Sequence, residues 1–65
     1  METKTPAQVF VADVHHAGIE SVLRRLRAEG KDTKDALYEI IMAAQKADCP
    51  ALATTACTMY ETTQD

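Results

Sequence analysis

Two cysteines, two glycines and no long apolar run are what this sequence of 65 residues has little of, and each scarcity excludes something. Cys49 and Cys57 are eight positions apart. On one helix that is roughly 12 Å at about 1.5 Å per residue, too far for a disulfide. No Cys/His spacing fits a zinc site, so neither a metal nor another cofactor is expected. Gly18 and Gly30 make no phosphate-binding loop. No Ser/His/Asp or Cys/His arrangement suggests a nucleophile, and a 7.1 kDa chain leaves little room for a catalytic pocket, so no enzyme is expected. Residues 1–20 contain Asp13, His15 and His16 and lack the apolar core of a secretory leader. No segment approaches the ~20 apolar residues of a membrane span. The expected address is the cytoplasm.

A chain this short makes one domain and buries a modest share of its surface. Below about 70–80 residues a single core rarely suffices without a disulfide, a metal or oligomerisation. With the first two set aside, pairing with a second copy is the expected staple.

What is there begins with charge. The net charge is −3, which taken alone disfavours nucleic acid. Five of the seven basic residues, Arg24, Arg25, Arg27, Lys31 and Lys34, nevertheless fall within eleven positions, where Glu29 and Asp32 leave a local charge of +3. Local charge decides phosphate binding.

Residues 1–7 are polar and read as an arm. Residues 8–14, Gln8-Val9-Phe10-Val11-Ala12-Asp13-Val14, are rich in β-branched and aromatic types and read as a strand with Val9 and Val11 on one side and Gln8, Phe10 and Ala12 on the other. A helix competes, because Thr5-Pro6-Ala7-Gln8 has the form of a capping box with proline at the first position. Ile19, Val22, Leu23 and Leu26 form an apolar stripe that predicts a helix over 16–29. Extended backwards, that helix leaves Val9 and Phe10 off the stripe, which favours the strand. Gly30 is expected to cap the helix in a left-handed conformation. Leu37, Ile40, Ile41 and Ala44 predict a second helix over 34–47. Pro50 opens a third over 50–62, weakened by Thr54, Thr55, Thr58 and Thr62, with Thr63 just beyond.

The run Val22-Leu23-Arg24-Arg25-Leu26-Arg27-Ala28-Glu29-Gly30-Lys31-Asp32-Thr33 resembles the L-x-x-R-A-x-x-x-G-R-S turn of antitoxin-like proteins of the ribbon-helix-helix superfamily, the Arc/MetJ class. Leu37, Ile40 and Ile41 match the apolar positions that follow, and Val9, Val11 and Val14 match the inward strand positions. The resemblance covers residues 8–47. It implies a mainly α, homodimeric ribbon-helix-helix fold and a DNA-binding regulator of transcription. The ribbon of such proteins enters the major groove, and the second helix holds a phosphate at its amino end. By this resemblance Gln8, Phe10 and Ala12 contact bases, and Lys31, Thr33 and Lys34, with Arg24 and Arg27, contact phosphates. An antitoxin-like chain would grip a protein partner through its last helix, with Leu52, Met59 and Tyr60 as the contact face.

The chain departs from that pattern where Phe10 and Ala12 replace hydrogen-bonding base readers and Asp32 stands beside the expected phosphate. An alternative therefore stays open: an all-α three-helix bundle that binds a protein, as a small inhibitor or adaptor, and not DNA. The backbone of 8–14 separates the two, extended for the first and helical for the second. Asp13, His16 and Glu20 share a side only if 13–15 are helical. His15 and His16 read as exposed turn residues.

Overall fold

The computed structural model describes residues 4–63, which form four helices and no strand. They are α1 (Pro6–Ala17), α2 (Ile19–Ala28), α3 (Thr33–Lys46) and α4 (Pro50–Thr62). The fold is the all-α alternative with one more helix than that alternative counted.

The strand expected over 8–14 is corrected to helix. Its start is set by Thr5, an extended residue whose hydroxyl accepts from the Gln8 backbone N–H at 3.2 Å. The Thr5 backbone N–H donates to Gln8 Oε1 at 3.0 Å, which completes the capping box. Pro6 follows at the first helical position, where its missing N–H costs nothing. With no N–H on Pro6, two of the three orphan donors of this helix start are thereby satisfied locally, which outweighs the β preference of three valines and a phenylalanine. Of the polar arm expected over 1–7, Pro6 and Ala7 belong to this helix. Residues 1–3 lie outside the described residues.

The single helix expected over 16–29 is also corrected. Gly18, at φ 93° and ψ 146°, ends α1 and begins α2. A side chain rarely adopts that backbone, so only glycine fits there without strain. The break explains why Val9 and Phe10 fell off the stripe of Ile19, Val22, Leu23 and Leu26. That phase assumed one continuous helix, whereas α1 has its own. Val11 and Val14 are buried, and Phe10 packs partly against them.

Gly30 behaves as the sequence indicates. It lies at φ 100°, its N–H donates to Arg27 O at 3.0 Å, and the Lys31 N–H donates to Leu26 O at 3.3 Å. These are the two bonds of a Schellman turn. The same pair closes α3, from Asp48 N–H to Gln45 O at 3.2 Å and from Cys49 N–H to Ala44 O at 2.8 Å. Asp48, at φ 57°, there occupies the left-handed position that glycine usually fills.

α3 is the central element and contacts each of the other three helices. Ala36, Leu37, Ile40 and Ala44 make its inner face, all with no exposed surface. α4 packs against it most extensively, and the alanines Ala36, Ala44 and Ala56 let the two backbones approach. The threonines of α4 back-bond to their own helix: Thr55 to Ala51 O, Thr58 to Thr54 O and Thr62 to Thr58 O, at 3.0–3.2 Å. Those hydroxyls are thus satisfied without leaving the helix. The core is small. Leu37, Ile40 and Val22 are its largest wholly buried side chains, and no polar side chain is buried among the described residues. Among the described residues no helix is long and apolar enough to cross a membrane.

Candidate functional site

The helical conformation of residues 6–17 removes the ribbon that was to carry base readers. Gln8 uses its side chain in the capping box, Ala12 is exposed on α1, and Phe10 is half-buried. No strand exists among the described residues to present the three together.

The basic residues of the +3 segment are dispersed by the fold. Arg25 forms a hydrogen-bonded ion pair with Asp13, which ties α2 to α1 across the Gly18 break. That hydrogen bond, with the nearby carboxylate charge, holds the guanidinium above its ordinary range. Lys31 donates to Glu39 Oε1 at 2.8 Å and is likewise held up, first by that hydrogen bond. The Lys34 ammonium sits 5.5 Å from the Tyr60 ring centre, a cation–π contact. Arg24 and Arg27 are exposed and line a shallow groove with Glu20, Leu23, Thr33 and Met59. Thr33 is the first residue of α3, where Asp32 at the cap and Asp35 in the first turn surround the helix start with carboxylates. An acidic first turn suits the helix dipole and repels a phosphate. Of the five expected phosphate contacts, Arg24, Arg27 and Thr33 line that groove.

The stripe on α4 expected to grip a partner faces inward. Leu52 is part of the core, and Met59 and Tyr60 pack partly against it. A sequence stripe marks which face is buried but not against what. Here the burial is intramolecular.

A different surface emerges on the far side of α3. Val9 is 54% exposed, Tyr38 55% and Met42 36%. Pro6, Ala7 and Phe10 of α1 and Tyr38, Met42 and Ala43 of α3 line one groove, with Thr5, Glu39 and Lys46 at its polar margin. A second depression shares Pro6 and Phe10 and continues to Val9, with Lys4 and Asp13 at its edge. The apolar surface thus runs without interruption from Val9 to Met42. Scattered exposed apolar residues are ordinary, and grouped ones with a charged rim have the form that interaction surfaces take. Reading α3 only for its buried stripe missed it. Tyr38 and Met42 sit one turn apart on the face opposite Ala36 and Ile40, which the sequence spacing does carry.

Two other features escape sequence reasoning. Cys49 Sγ lies 3.8 Å from His15 Nε2, a pairing of positions 34 apart that no local pattern indicates. Asp13 and Glu20 fall on separate helices, so the side they were to share with His16 on one continuous helix does not form.

No family model matches this chain, and neither a curated protein nor a solved structure is similar to it.

Proposed function

We propose that this chain is a small helical protein-docking module that engages a protein through the apolar surface of α1 and α3, in place of the DNA-binding reading. The observation that carries this reading is the continuous run of Val9, Phe10, Tyr38 and Met42 on the surface of a chain whose core is small. Grooves between helices with an apolar floor and a polar margin accept the apolar face of another helix. Tyrosine and methionine suit the role: tyrosine is enriched at interfaces, and methionine adapts its shape to a partner. The helical backbone of 8–14 also supports this reading over the ribbon.

Site-specific photocrosslinking tests it. A photoreactive residue replacing Tyr38 is expected to give protein adducts in producing cells, and one replacing Glu61, exposed on α4, is not. No adduct from position 38 would sink the reading. Exposed Arg24 and Arg27 are the remaining basis for a nucleic-acid reading. Mobility-shift titration at low salt is expected to give no complex, because two arginines beside Glu20 release few counterions.

A further inference from the structure

We infer that the occupant of the α1–α3 surface is a second copy of this chain, joined in an antiparallel α3–α3 pair centred at Met42. The inference rests on the docking reading above. Two observations choose a second copy over an unrelated protein.

The first is the arrangement of charge beside the apolar stripe. Glu39 and Lys46 are seven residues apart, two helical turns, so they lie on the same side of Tyr38 and Met42. Both line the groove margin. A two-fold axis that reverses one α3 against another at Met42 sets position 39 opposite 45 and places Lys46 one residue beyond, about 1.5 Å along the axis. Glu39 therefore meets the partner's Lys46, and Lys46 meets the partner's Glu39, on the same side of the seam. A two-fold interface requires such self-complementarity. A parallel pair would instead put Glu39 and Lys46 of the two chains on opposite sides of the seam, where neither meets its complement. Glu39 also remains able to accept a second donor, since Lys31 engages only its Oε1.

The second is the size of the core. Among the described residues three large side chains are wholly buried, three of the eleven buried apolar residues are alanines, and both cysteines are free. A chain this small is expected to need further apolar burial, and its own exposed patch supplies it when doubled.

The test is sedimentation equilibrium of the full chain over a concentration series, with circular dichroism to verify helix content of every variant. The wild type is expected to dimerise. Met42→Glu, at an exposed position, is expected to be a folded monomer. Glu39→Lys and Lys46→Glu are each expected to weaken association by about tenfold, since each turns two attractive pairs into repulsive ones. The double variant Glu39→Lys/Lys46→Glu restores the attraction with reversed sign and is expected to recover most of the loss. A wild type that stays monomeric into the high micromolar range, or a double variant no better than the singles, overturns self-pairing. Such a result together with crosslinks from position 38 to a heavier protein leaves the docking reading standing. A monomer that gives no crosslink from position 38 overturns both.

Discussion

The two faces of α3 are built from similar apolar residues and have opposite fates. Ala36, Leu37, Ile40 and Ala44 face the core on the helix that contacts α1, α2 and α4 and keep no exposed surface, while Tyr38 and Met42 on the outer side stay exposed in a groove beside α1. Apolar surface left in water forgoes about 25 cal/mol for each Å² that could be buried. The inner face shows what holds the monomer together. The outer face shows what the described residues leave exposed, and in the proposed pairing the charged margin at Glu39 and Lys46 is where a second chain would complete it.

The comparison is broken most severely on the inner side. Ile40→Ala deletes a wholly buried branched side chain at the junction of the helices, and is expected to cost about 2–5 kcal/mol in urea unfolding. Next in size is the joint that brings α1 to the groove. Gly18→Ala is expected to lose about 1–3 kcal/mol, because φ 93° with ψ 146° is strained for any side chain although no atom lies within 4 Å of the added carbon. Asp48→Gly acts in the other direction. It relieves the left-handed aspartate that closes α3, and is expected to raise the thermal midpoint by an amount equivalent to roughly 1 kcal/mol or less. The smallest effect on the dilute monomer is expected on the outer face. Met42→Gln should change unfolding free energy by about 0.5 kcal/mol or less, while abolishing most of the association measured at high concentration. A large loss of monomer stability from Met42→Gln would mean that the two faces are not distinct.

Most of the helical framework was legible in the sequence, because its signals are local. Gly30, the stripe of Leu37, Ile40, Ile41 and Ala44, and Pro50 each mark a boundary or a face within one or two turns. The capping box at Thr5 and Gln8 was legible as well, and lost to the β preference of Val9, Phe10 and Val11. That choice depended on a helix phase carried across Gly18, where the chain changes direction. Phase information does not survive a glycine at positive φ. The site was less legible for a related reason. A basic cluster in sequence becomes a surface only if its side chains remain unengaged, and Asp13, Glu39 and Tyr60 engage three of the five. The stripe of Leu52, Met59 and Tyr60 was correctly apolar, but that it packs against the core of its own chain could not be read from α4. The exposed apolar groove is visible only when the outer side of α3 is placed beside α1, which is tertiary information.

Hydroxyl-radical footprinting of Met42 against Met59 tests the central claim most directly. Met42 lies on the outer face and Met59 packs against the core within the chain. If the outer face is covered by protein, oxidation of Met42 falls several-fold between dilute purified protein and producing cells, and Met59 keeps its rate. Equal Met42 oxidation in the two settings would contradict the account.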